Sequence, residues 1–401
     1  MMKEKQRILI STFDMEIGGV ERSLIGLLNH IDYDKYDVDL MLFKHEGEFL
    51  PLLPKGPNLL PEIPQYSTFR SSIGEILKNK QYGIGFSRIL SKMHANFIGK
   101  ITKAAEPGYY QMQLMWKYAL PFLPKMDTEY DVAISYLWPH YFVGEKVNAK
   151  KKIAWIHTDY STVETNVKLD LKMWNKFDHI AAVSESCKQS FLKKYCELSS
   201  KVMVMENITS PEFIRKMAEE TVENPMENDQ RFKILTVARL SHAKGIDHAV
   251  MALKLLKEKG YDNISWYVVG YGGDEVQIRG LIKELSLENS FILLGKKTNP
   301  YPYMKEADLY VQPSRYEGKA VTVSEAQILS KPVVITNYAT AKSQVKDGYD
   351  GYITDLSVEG IAAGIEKAYQ TPSWRQELAN NCRKTNYGNN KEVEKLYSLL
   401  G

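Results

Sequence analysis

Two doubly wound α/β domains of similar size are what this sequence predicts, and three observations predict them. Short apolar runs alternate with longer helix-compatible segments from one end to the other, the pattern of parallel sheets covered by helices. At 401 residues the chain exceeds what a single hydrophobic core usually serves. A polar, acidic stretch at 219–229 lacks any apolar period and reads as a linker between the halves.

The strands come in two sets. In the first half, apolar runs at 7–11, 38–43, 132–136, 153–157, 180–183 and 202–205 read as strands. In the second half the runs at 233–237, 266–269, 291–294, 309–312, 333–336 and 351–353 do the same. Most of the latter precede helix-compatible segments, for example 248–259 and 275–285. Residues 321–329, free of Pro and Gly, read as another helix, and 392–400 as a short one after the loop at 386–390. The joint between domains is expected near 208–231. Open α/β sheets bind ligands beyond the carboxyl ends of their strands, so the two domains are expected to face a central cleft with those ends.

Composition narrows the class. Hydrophobic content of 44% and charged content of 25% are those of an ordinary globular protein. Three scattered cysteines, Cys187, Cys196 and Cys382, form neither a disulfide framework nor a zinc site and favour a reducing, cytoplasmic compartment. The first residues carry no apolar signal core, and no run of 18 apolar residues is present to span a membrane. A net charge of +3 is too mild to imply nucleic acid.

The richest stretch runs from Ser314 to Ala326. It places Glu317 on a loop after the strand at 309–312 and Glu325 in the first turns of the next helix, with Gly318 breaking the pattern between them. On one straight helix the two acids would sit about 12 Å apart; split across the turn, they can share a small ligand. Carboxylates beside a helix start suit a polyhydroxylated ligand that carries phosphates. The plainer reading is that Glu317 serves the helix dipole and Glu325 is solvated.

Arg239 and Lys244 lie five residues apart on the loop after the strand at 233–237, beside Gly245. They can converge on one diphosphate, or simply be solvated; Ser241 or His242 is expected to cap the following helix. Gly270-Tyr271-Gly272-Gly273 closes another strand. Glu275 stands where a dinucleotide fingerprint needs its third glycine, so a nicotinamide enzyme is disfavoured. In the first half, Gly18-Gly19 precedes a helix and either admits an anion or makes a tight turn. His157, at the tip of the strand at 153–157, points into a crevice or belongs to the core.

Taken together, Arg239-Leu240 with Lys244-Gly245, Gly270-Tyr271-Gly272, and Glu317-Gly318 with Glu325-Ala326 resemble the donor half of the retaining glycosyltransferases of family four, which have the GT-B fold. Gly18-Gly19-Val20-Glu21 and Trp155-Ile156-His157-Thr158-Asp159-Tyr160 look like that family's bacterial surface-polysaccharide branch. The resemblance implies a last helix crossing back to the first domain. Its domains would be 1–208 with 386–401, on the acceptor side, and 209–385, binding the donor nucleotide.

It further implies that Arg239 and Lys244 bind and stabilise the departing diphosphate. Glu325 would hold the ribose, Glu317 would orient the transferred sugar, and His157 would contact that sugar. Gly18 and Gly19 would leave room beside the phosphates, with Gly270 lining the site and Lys296 and Lys297 near the base. The turn Gly318-Lys319-Ala320-Val321 would meet phosphate with its N–H groups. Where many members have a Gly-Phe-Gly-like segment after the first glutamate, this chain has Gly318-Lys319-Ala320, which puts sugar identity in question. Neither cofactor nor metal is implied; the co-substrate is a nucleoside-diphosphate sugar and the acceptor a glycan or lipid-linked oligosaccharide. The alternatives are a sugar-nucleotide epimerase of the same fold and a catalytically silent nucleotide-sugar-binding partner.

Residues 76–105 carry Lys78, Lys80, Arg88, Lys92, Lys100 and Lys103 and no acid. Phe86, Ile89, Leu90, Met93, Phe97 and Ile101 follow helical spacing among them. Either that apolar face packs inward with the cations solvated, or the segment docks on an anionic membrane and makes the protein peripheral there.

Overall fold

The computed structural model describes residues 5–102, 108–158, 160, 163, 165–317, 319–389 and 391–400, the side chains of 96–102, 108 and 109 excepted. The chain forms two compact units, Met1–Ile208 with Asn390–Gly401 and Thr209–Asn389. Each is an α/β unit built on one parallel sheet.

Unit 1 contains β1 (Gln6–Thr12), β2 (Tyr36–Leu42), β3 (Asn58–Leu59), β4 (Glu129–Ser135), β5 (Asn148–Ile156), β6 (His179–Ala182) and β7 (Val202–Val204). Their order is β3-β2-β1-β4-β5-β6-β7. Unit 2 contains β8 (Phe232–Val237), β9 (Ile264–Val269), β10 (Phe291–Gly295), β11 (Leu309–Gln312), β12 (Val333–Thr336) and β13 (Tyr352–Thr354), in the order β10-β9-β8-β11-β12-β13. In both sheets the order reverses beside the unit's first strand, between β1 and β4 and between β8 and β11. That reversal is where such sheets open a crevice for a ligand.

Strands covered by helices on both faces must be apolar throughout, and β9 and β12 are buried at every residue. In unit 2, Trp266 on β9 is wholly buried, and its Nε1 donates to Thr236 Oγ1 at 3.0 Å. Helices Ile246–Glu258 and Val358–Gln370 cover it with Leu253, Leu256, Ile361 and Ile365.

Every apolar run read as a strand is one. The exceptions lie at the polar margins: β3 has only two residues, and β5 begins at Asn148, five residues before its apolar stretch. The stretch at 219–229 is not a free linker. Met226 is fully buried, Asn299 Nδ2 donates to Met217 O at 2.7 Å and to Glu220 at 2.9 Å, and Tyr267 OH donates to Asp229 at 2.6 Å. Its polar side chains and carbonyls are used as anchors, so no apolar period was needed.

Helix Glu392–Leu400 belongs to unit 1. Tyr397 stacks on Tyr36 with centroids 5.2 Å apart, accepts from the Asp32 N–H at 2.8 Å and donates to His30 O at 3.0 Å. Lys151 Nζ donates to Leu399 O at 2.9 Å, and Glu392 accepts from the Glu206 N–H at 2.9 Å. No helix among the described residues is long and apolar enough to cross a membrane.

Candidate functional site

The site of unit 2 is assembled by the loops that follow β8, β9 and β11. Backbone approach brings them together, and glycines permit it. Gly245 has φ +65°, and a Cβ there would lie 2.1 Å from Pro313 O. Gly270 has φ +153°, and a Cβ would meet Ala238 O at 1.9 Å; at Gly272 it would meet Leu240 O at 2.2 Å. No side chain fits at these distances. Arg239 is thus flanked on both sides by glycine-mediated contacts. It is exposed, with no hydrogen bond or ion pair to the described residues.

Residues 242–244 form a single 3₁₀ turn, and Gly245 in the left-handed region starts helix Ile246–Glu258. Neither Ser241 nor His242 caps that helix with its side chain, as the sequence had suggested. Arg315 fastens this loop to the one after β11. Its backbone N–H donates to Ala243 O at 2.8 Å, and its guanidinium to His242 O at 2.8 Å and to both Asp247 oxygens at 2.7 and 2.5 Å. Hydrogen bonding to Arg315 helps hold the Asp247 carboxyl below its usual range against the opposing effect of burial.

Glu317 is buried at the centre of this junction, 5% exposed. Its Oε1 accepts from Ser314 Oγ at 2.6 Å and Gln312 Nε2 at 3.1 Å; its Oε2 accepts from Lys244 Nζ at 2.6 Å. Tyr310 OH donates to Gln312 Oε1 at 2.7 Å, and Thr340 Oγ1 donates to Glu317 O at 2.9 Å. Burial, with the charges of Glu325 and Glu317 adding to it, keeps the Tyr310 phenol protonated far above its usual range. The carboxylate is therefore held from three sides. Its position is set before any ligand arrives.

Glu325 sits in the second turn of helix Val321–Ile328, buried, and accepts from Tyr301 OH at 3.0 Å. The loop-and-helix split between the two acids is as the sequence indicated. The Ala320 N–H is already taken by Gln344 Oε1 at 3.1 Å. Gly318 lies outside the described residues, while Lys319 is exposed and Val321 opens the helix. Lys296 stands 5.3 Å over the Tyr271 ring and Lys297 5.7 Å over Tyr303. Among the described residues no group of three or more His, Cys, Asp or Glu is arranged to hold a metal ion.

In unit 1, His157 follows β5, with its ring 4.8 Å from that of Tyr136. Its Nε2 is shut from solvent and has no partner among the described residues. Burial pushes its pKa down to about 3, so the ring is neutral at ordinary pH. Gly18 precedes helix Gly19–His30 in extended conformation, and a Cβ on Gly19 would meet nothing within 4 Å. Open space, not the fold, surrounds Gly19. Asp159 lies outside the described residues.

Sequence reasoning passed over Gln312, Ser314, Thr340 and Gln344, which position the acid and the turn. A glutamine ending the apolar run Leu309-Tyr310-Val311 was the available signal. Glu21 was quoted but given no role; burial raises its carboxyl to about 7.

Residues 217–387 match the model of the family described as glycosyl transferases group 1. The capsular polysaccharide biosynthesis glycosyltransferase CapM of Staphylococcus aureus is 27% identical over 217 residues, covering 51% of this chain and 56% of that one. The amylovoran biosynthesis glycosyltransferase AmsK of Erwinia amylovora is 31% identical over 144 residues, 34% of each chain. The matched part spans about half the length of the first curated relatives, 51% and 56%. Among solved structures, HepE of Anabaena, crystallised with UDP and glucose, aligns at TM-score 0.67 and 18% identity over 98% of this chain and 99% of that one. That likeness shows a fold of the GT-B kind. The match to the glycosyl transferases group 1 lies within residues 217–387, most of the second unit.

Proposed function

We propose that the protein is a retaining glycosyltransferase that moves a sugar from a nucleoside diphosphate to a glycan or lipid-linked acceptor in surface polysaccharide synthesis. One observation carries the reading: within the matched module, Lys244 and Glu317 meet at 2.6 Å where the two strand-end loops join. The names of CapM and AmsK support the polysaccharide setting, and the UDP and glucose held by HepE support the donor class.

In this reading Arg239 and Lys244 take the negative charge that grows on the diphosphate as the anomeric C–O bond breaks. Such donors stabilise the transition state more than the ground state. Glu317 orients the sugar hydroxyls and Glu325 the ribose. The acceptor oxygen bonds to the anomeric carbon on the face the phosphate leaves, and its proton passes to the departing phosphate oxygen. No metal is required for that balance, so turnover is expected to survive chelation.

The test combines thermal shift against nucleoside diphosphates and their sugars with an assay of donor hydrolysis. Stabilisation by one nucleoside diphosphate and slow donor hydrolysis are expected, with the anomer of a transferred sugar retained by NMR. Binding without any turnover on candidate acceptors would favour a silent binding partner. No nucleotide binding at all would end the proposal.

A further inference from the structure

Helix Tyr82–Thr102 turns its apolar side to water. Between 82 and 95 the residues facing the protein include Ile84, Ser87, Arg88, Ser91 and Ala95. Tyr82 is 65% exposed, Phe86 59% and Met93 65%, with Ile89 and Leu90 exposed between them. The serine hydroxyls on the inner side are satisfied there. Ser87 Oγ donates to Ile84 O at 2.7 Å, and Ser91 Oγ to Arg88 O at 2.8 Å. Arg88 donates to Ser71 O at 3.2 Å and to Thr68 O, and burial pushes its pKa down to about 10. An amphipathic helix on a core does the reverse. The first of the two sequence readings therefore fails on both counts: the apolar face does not pack inward, and Arg88 is not among the solvated cations.

The exposed face continues beyond the helix. A Cβ on Gly83 would lie 2.4 Å from the Phe122 ring, and one on Gly85 2.7 Å from Leu77, so those two exposed side chains adjoin it. A contiguous apolar patch of this kind marks an interaction surface. Lys78, Lys80 and Lys92 are exposed around it, and residues 76–95 contain no acid.

We propose that this face docks on an anionic lipid bilayer. Charge decides between occupants. A second copy packed on the same face would bring its own three lysines against these. Acidic headgroups meet them with opposite charge while Tyr82, Phe86, Ile89, Leu90 and Met93 enter the acyl boundary. Lys100, Lys103, Phe97 and Ile101 lie outside the described side chains, and the surface does not need them. It also uses no residue of unit 2, so it stands or falls separately from the sugar-transfer reading.

The experiment is co-sedimentation of the full chain with vesicles of phosphatidylcholine alone or doped with phosphatidylglycerol. Binding at least about tenfold stronger to the anionic vesicles is expected, weakening with salt. Phe86→Asp with Met93→Asp is expected to reduce binding about tenfold or more. Lys78→Gln, Lys80→Gln and Lys92→Gln together are expected to abolish the preference for acidic lipid. Circular dichroism and nucleotide thermal shift should be unchanged in both variants. Three results would overturn the proposal: wild-type protein left in the supernatant, equal binding to both vesicle types, or undiminished binding by the Phe86/Met93 variant. A wild-type dimer that Phe86→Asp dissociates would assign the face to a second copy and overturn it as well.

Discussion

Lys244 Nζ and Glu317 Oε2 are 2.6 Å apart, and this ion pair bridges 73 positions of sequence between the loops after β8 and β11. Glu317 is almost fully buried, so its charge depends on Lys244, Ser314 and Gln312 for compensation. Removing one partner of such a pair leaves the other charge uncompensated. Lys244→Ala is therefore expected to lower stability, and Glu317→Gln in that background to restore part of it, a coupling of about 2 kcal/mol in a double-mutant cycle. Urea unfolding of the four proteins measures it. Additive effects would show that the pair does not hold the loops.

Turnover should follow the same residues. If Arg239 and Lys244 stabilise the leaving diphosphate, Arg239→Ala is expected to reduce kcat about a hundredfold. Because Arg239 is exposed and bonds to no described residue, its loss should leave the thermal midpoint unchanged. Steady-state kinetics beside a melting curve separates the two effects. Near-normal turnover would remove Arg239 from the site.

Two glycines make opposite predictions. Gly270→Ala places a Cβ 1.9 Å from Ala238 O at φ +153°, and a loss of about 3 kcal/mol or more is expected. Gly19→Ala meets nothing within 4 Å and starts a helix, so stability should hold or rise slightly. If Gly19 gives room to substrate, activity nevertheless falls. Melting curves and transfer rates for the two variants check both statements.

Acid should weaken unit 1. Burial lowers His140 and His157 from 6.5 to about 3. The unfolded chain thus binds protons that the folded one refuses. Stability from these groups is complete above pH 6.5 and is lost as pH falls toward about 3. The urea midpoint is expected to fall between pH 6 and 4, roughly the interval bounded by those two values, and less steeply in His157→Asn. A wild-type and variant slope that coincide would count against a buried, neutral His157.

Glu21 has the opposite sign. Burial raises it from 4.5 to about 7, so the folded state prefers the protonated acid. Its contribution is present below pH 4.5 and lost as pH rises through about 7. Glu21→Gln should therefore leave stability unchanged in acid and raise it in mild alkali by on the order of 2 kcal/mol, the melting point following it. Equal melting points at both ends of the range would contradict this.

The sheets were legible because strands buried along their whole length, as β9 and β12 are, must be largely apolar. β3 and the start of β5 were not, since ladder hydrogen bonds need no apolar side chain at Asn58 or Lys150. The acids and cations of unit 2 could be read from spacing around Gly245 and Gly318. Of the groups that hold them, Thr340 and Gln344 could not: they reach Glu317 and its turn through a fold that local pattern does not encode. For helix Tyr82–Thr102 the sequence left both placements of the apolar face open. Periodicity marks an apolar face without saying which way it points.

Because helix Glu392–Leu400 completes unit 1 after the whole of unit 2 has intervened, the order of manufacture and the order of assembly differ. On the ribosome, Tyr36 and the His30 carbonyl must wait uncovered until Tyr397 emerges. Nascent molecules consequently pass through a stage in which all of unit 2 has been synthesised and unit 1 still lacks its last helix.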